Sequence, residues 1–111
     1  MKVVNLTPHP IHILDKDGTQ LLTIPPGGNA VRVDMVKKPA DSITVGGRNI
    51  PVHNVSYGNV QGLPDPNPDT VYIVSSVVAQ AVARDDVLVP GDLVRDSDGN
   101  VVGCLGLNRT I

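Results

Sequence analysis

Phenylalanine, tryptophan and glutamate are absent from this chain, tyrosine occurs twice and cysteine once. Without large aromatics, the core has to be built from thin layers of Val, Leu and Ile. Without glutamate, the twelve-residue calcium loop lacks the bidentate carboxylate that closes it. A lone Cys104 cannot form an internal disulfide. Structural zinc wants four close ligands, often paired cysteines, so no metal site and no cofactor are expected. No run of 18 apolar residues exists, which argues against a membrane-spanning helix. The start passes from Lys2 to Asn5, His9 and Pro10 without the apolar segment of a signal peptide. These absences lead to the expectation of a cytoplasmic protein. Net charge is −2 and only Lys37 and Lys38 are adjacent basic residues. Phosphate neutralisation needs clustered cations, so nucleic acid is a poor partner.

Valine is what the chain has in abundance, with 19 of 111 residues. Its branched Cβ suits a pleated surface better than a helix. Gly and Pro together number 21, which favours short elements and many turns. The expectation is a single domain over 1–111 of mainly β (α+β) class. It would be a small twisted sheet or a partly open β-barrel with one short helix near residues 76–84.

Three hairpins are predicted. Runs 11–14 and 19–24 flank Asp15-Lys16-Asp17-Gly18; runs 43–45 and 50–53 flank Gly46-Gly47-Arg48-Asn49; residues 93–105 turn at Asp98-Gly99. Val87–Val89 and Leu93–Arg95 read as two strands broken at Pro90-Gly91-Asp92. Ala30–Asp34 alternates as a half-wet strand, and 37–41 reads as loop. Val55–Asp69, rich in Gly and Pro, reads as a long loop. Tyr57 and Asn59 make it a candidate rim for a ligand or partner. Thr70–Val74 is the strongest strand. Ser75 or Ser76 then caps a helix whose apolar stripe is Val77, Val78, Ala81 and Val82, with Arg84 at its C-terminal end. The last residues, 107–111, are expected to fray.

Several fragments, Asn5-Leu6-Thr7-Pro8-His9, Tyr72-Ile73-Val74-Ser75, Arg84-Asp85-Asp86, Val94-Arg95-Asp96 and Gly103-Cys104, carry a resemblance. Together they are similar to a group of small phage and actinobacterial proteins. They cover roughly a third of the chain and none of residues 30–69. The resemblance implies a phage or prophage accessory role and supplies no catalytic residues.

The candidate ligand-binding residues are Asn5, Thr7, His9, Ser75, Ser76, Arg84 and Arg95. Free amides at a helix start, two serine hydroxyls and nearby basic groups make a phosphate-sized anion site conceivable, against the plain alternative of a serine cap. His9 and His12 are three apart and would face opposite ways on a strand, unless the turn at Pro10 rotates one. Asn5, Thr7 and His9 either close a bend or line a pocket. Asp15, Asp17, Asp96 and Asp98 read as turn residues bonding their own backbone. The leading expectation is a noncatalytic binding protein for a small phosphorylated metabolite or a host protein, and a homo-oligomer. The alternatives are an enzyme with His9 as base and Arg95 steadying an anion, or a phage structural subunit.

Overall fold

The computed structural model describes residues 1–110. The chain is mixed α+β, mostly strands with one short helix. Six strands make the main sheet: β1 (Lys2–Asn5), β2 (Ile11–Leu14), β3 (Gln20–Ile24), β8 (Thr70–Ile73), β9 (Val87–Arg95) and β10 (Val101–Asn108). Their order is β1-β8-β9-β10-β2-β3. β1, β8 and β9 run parallel, β10 is antiparallel to β9 and parallel to β2, and β2–β3 is an antiparallel hairpin. An isolated parallel bridge joins Asn5 to Pro26, just beyond β3. The Gly27 amide donates to the Asn5 carbonyl at 2.8 Å. The two terminal strands of the order are thus tied at one point.

β8 alternates its side chains between two apolar clusters, as a pleated strand buried on both faces must. Tyr72 and Val74 join Leu6, Val78, Val87 and Val89 on one side. Ile73 joins Ile11, Ile24 and Cys104 on the other. The bulk of the 70–74 run therefore reports a central strand.

The helix α1 (Ser76–Ala81) is shorter than the expected 76–84. Val82 is already extended (φ −127°, ψ 142°), so the helix stops before Arg84. Val78 and Ala79 are its buried residues and hold it on the sheet. Ser75 occupies the cap position, yet its hydroxyl makes no capping hydrogen bond.

Other expectations also shift. β9 is one continuous nine-residue strand rather than two. Pro90 and Gly91 sit within it, opposite Leu107 and Gly106 of β10. Leu107 and Asn108 are strand residues, not frayed ends; Ile111 lies outside the described residues. The hairpin of 93–105 and that of 11–24 form as expected.

The largest departure is residues 32–61. β4 (Arg32–Pro39) pairs antiparallel with β7 (His53–Gln61), and β5 (Ile43–Val45) with β6 (Arg48–Ile50). The Ala40 amide donates to the Val52 carbonyl at 2.8 Å, which continues the pairing between the two ladders. Residues 37–39 and 55–61, expected as loop, are thus strands of one long ribbon. Its tip turns at Gly46-Gly47, both at positive φ (58° and 76°), the geometry a two-residue hairpin requires. The ribbon makes the molecule elongated: the radius of gyration is 17.6 Å, against about 13 Å for a compact chain of this length. No helix of the described residues is long and apolar enough to cross a membrane.

Candidate functional site

Asn5 is the only fully buried polar residue among those described. Its side chain is saturated. Nδ2 donates to the His9 carbonyl (2.8 Å) and the Ile24 carbonyl (3.0 Å). Oδ1 accepts from the Thr7 amide (2.9 Å) and the Thr7 hydroxyl (2.6 Å). One amide therefore ties the end of β1, the bend at 7–10 and the end of β3. Asn5 and Thr7 close the bend, which was one of the two readings of the opening segment.

The bend borders a groove of about 450 Å³, closed on other sides by the end of β8 and by β9 and β10. Val74 and Cys104 are its most deeply buried lining residues. Ile11, Pro90, Leu93 and Val102 supply apolar wall. Thr7, His9, His12 and Ser75 are the lining residues with polar side chains. His9 and His12 are thus both lining residues, on either side of Pro10 and Ile11. His12 Nδ1 is hydrogen-bonded to Thr23 Oγ1 at 2.9 Å. No residue of the lining carries a formal charge at neutral pH with histidine neutral.

The expected site residues separate into three places. Thr7, His9 and Ser75 line the groove, and Asn5 lies buried behind them, holding the bend. Ser76 begins α1 and does not line the groove. Because α1 has only six residues and its serines make no capping bond, little of the imagined anion cradle remains.

Arg84 lies elsewhere, beside a shallow concavity with Asn67 and Asp85. Its guanidinium holds Asp86 through two bonds (2.9 and 2.7 Å), donates to the Pro64 carbonyl (2.9 Å) and sits 6.0 Å from the Tyr72 ring centre. Arg95 donates to the Gly99 carbonyl (2.8 Å) and braces the β9–β10 turn. Both arginines therefore serve the fold.

The Arg84 hydrogen bond holds the Asp86 carboxyl below its ordinary value near 3.8, partly offset by desolvation. Asp86 binds its proton less tightly folded than unfolded. Its contribution is complete above that ordinary value and is lost as pH falls through the lower native one. Arg84→Ala is expected to cost about 2 kcal/mol at pH 7, since the pair is largely buried and bidentate. Urea titrations at pH 7 and at pH 3 or below test this, with the difference from the native chain shrinking at the acid end.

The turn aspartates bond backbone, as the sequence implied. Asp96 Oδ1 accepts from the amides of Asp98 (2.9 Å) and Asn100 (3.0 Å), and Asp17 Oδ1 from that of Thr19 (2.8 Å). The Thr19 amide is the main reason the Asp17 carboxyl is pushed down. Among the described residues no three His, Cys or Asp side chains cluster as a metal site.

Sequence reasoning missed Ile11, Pro90, Leu93, Val101 and Val102 as groove residues. They come from strands far apart in the chain and look like ordinary strand residues locally. The expected rim at 56–69 does not line the groove either. Tyr57 and Asn59 lie on β7, and the loop that follows packs as cover, with the Asp65 carbonyl accepting from the Tyr72 hydroxyl (3.4 Å). Compared with known proteins, the chain matches no protein-family model, no curated protein and no solved structure.

Proposed function

We propose that this protein is a noncatalytic binding module whose groove receives a small ligand with an uncharged, apolar body and a polar end. The observation that carries this reading is the lining: branched aliphatic walls, two histidines, a threonine and a serine, and no lysine, arginine or aspartate. Pockets of a few hundred Å³ with few polar groups are the usual form of small-molecule sites. A phosphate would meet only neutral donors there, so the favoured ligand is not a phosphorylated one. Among the described residues, no groove hydroxyl or thiol is hydrogen-bonded to a histidine ring, which favours binding over nucleophilic chemistry. The tie between Asn5 and Pro26 supports a partly open barrel, with the Ile73 cluster as its interior. The accessory role that the motif resemblance implies fits such a module.

Indole is a suitable probe, being flat, neutral and small enough for the groove. Its addition is expected to move the amide resonances of Ile11, Val74, Leu93 and Val102 together. Val102→Asp is expected to weaken binding at least about tenfold, because a carboxylate would have to be desolvated against the ligand. Shifts scattered over other surfaces, or an affinity indifferent to Val102→Asp, would overturn the groove as the site.

A further inference from the structure

The ribbon of residues 32–61 is anchored only at its base. Val33 of β4 and Val60 of β7 pack against the cluster that holds α1. Every other residue of the two strands is exposed. So are all of β5 and β6. Yet these residues are not those of a solvated arm. Met35, Val36, Ile43, Val45, Val55 and Tyr57 are each 43–57% exposed. A two-stranded ribbon without a third strand or a covering layer is marginal in water.

The surface area says how much is uncovered. The chain exposes 7626 Å². A compact globule of 11.7 kDa would expose about 5,900 Å². The excess of roughly 1,700 Å² is about twice what one partner contributes to a standard stable interface, about 800 Å².

Charge says what covers it. Arg32, Lys37, Lys38 and Arg48, four of the nine cationic side chains, lie in 32–61, with only Asp34 and Asp41 of the eleven aspartates. The arm carries +2 and the rest of the chain −4. Two arms laid side by side would repel. The body offers a complementary surface: Leu93 and Val101, on one face of the β9–β10 hairpin, are exposed (55% and 50%), beside Asp96 and Asp98 of its turn.

We infer that residues 32–61 are an exchange arm that seats on the acid-rimmed β9–β10 strip of a second copy of this chain. Apolar residues of the arm meet apolar residues of the strip, and Lys37, Lys38 and Arg48 meet its aspartates. Because Leu93 and Val101 also border the groove, the visiting arm forms part of the groove's outer wall. The inference rests on the groove reading only for that last point.

Sedimentation velocity on the full chain tests it, from about 1 to 100 μM and at low and high salt, a range that includes the weak end for interfaces of this size. The expected result is a dimer or larger closed assembly that weakens as salt screens the rim. Ile43→Asp with Val45→Asp, at the exposed tip, is expected to raise the dissociation constant at least tenfold and leave a monomer that still melts cooperatively. Asp98→Lys, which opposes the basic arm and does not line the groove, is expected to do the same. Amides of β4 and β7 should lose hydrogen-exchange protection on dilution, a readout that needs no variant. A monomer throughout the range overturns the inference. Association lost in the tip variant but kept in Asp98→Lys overturns the strip as the seat. Indole binding to such a monomer would leave the groove reading standing while this one fell.

Discussion

Asn5→Ala is expected to lower the unfolding free energy by about 3–4 kcal/mol and the melting temperature by about 12–16 °C. The side chain is fully buried and makes four hydrogen bonds with nothing left over. Alanine would strand the Ile24 carbonyl, deprive the His9 carbonyl of its buried donor and leave the Thr7 amide unpaired. Each buried unsatisfied group costs about 1–3 kcal/mol, and the void adds to that. Thermal and urea unfolding measure the loss. A drop under about 3 °C would show that the bend holds without the network. Asn5→Asp separates shape from donation, since it keeps the volume and removes the donor. At neutral pH its carboxylate would face the His9 and Ile24 carbonyls. Protonation restores a donor, so the folded variant would hold its proton more tightly than the unfolded chain. Its stability should then be greatest below the ordinary aspartate value and fall as pH rises to the raised native one.

Gly91→Ala is expected to cost about 3 kcal/mol, the upper end for overpacking. A Cβ at Gly91 would collide with the Leu105 carbonyl oxygen and lie 2.8 Å from that of Gly106 and 3.0 Å from the Gly106 carbonyl carbon. All three are backbone atoms, so no side chain can rotate away. Gly106 stands opposite Gly91 and has φ +71°, which brings its peptide over the position. Relief requires β9 and β10 to separate, and these strands join the parallel half of the sheet to β2. Gly58→Ala is the matched comparison. There a Cβ would lie 3.5 Å from the Asp34 Cβ, an ordinary contact, and the change is expected to stay within about 0.5 kcal/mol. Equal effects at the two positions would show that lost backbone freedom, not collision, governs both.

The hairpins were legible because their turn chemistry is local: Asp15–Gly18, Gly46-Gly47 and Asp98-Gly99 each announce a reversal. The central strand was legible from bulk. β7 was not, since Gly58 and the prolines beyond it mimic a loop, and a strand whose two faces are both exposed has no apolar alternation to read. Pro90-Gly91 misled for a different reason. Within β9 the proline gives up only its own amide, and the glycine is demanded by a neighbouring carbonyl rather than by a turn. At the site, Asn5, Thr7 and His9 stood out because polar residues in an apolar opening need partners. Leu93 and Val102 did not, because a groove is made by strand order, and strand order leaves no mark on any one segment. Arg84 and Arg95 looked like ligand cations because their carbonyl and carboxylate partners are not visible from spacing alone.

The pairing of Lys2 with Thr70 and of Asn5 with Ile73 sets the order in which the chain can mature as it is made. At about 5–20 residues per second, the first strand waits several seconds for its neighbour to be synthesised. The ribbon, whose pairings lie entirely within residues 32–61, can zip meanwhile. The last strand, β10, must leave the ribosome before β2 and β9 are joined. A nascent chain held after residue 61 has emerged but before β10 has would therefore present a finished arm on an unfinished body, and the start of the chain should stay protease-sensitive until β8 to β10 are out.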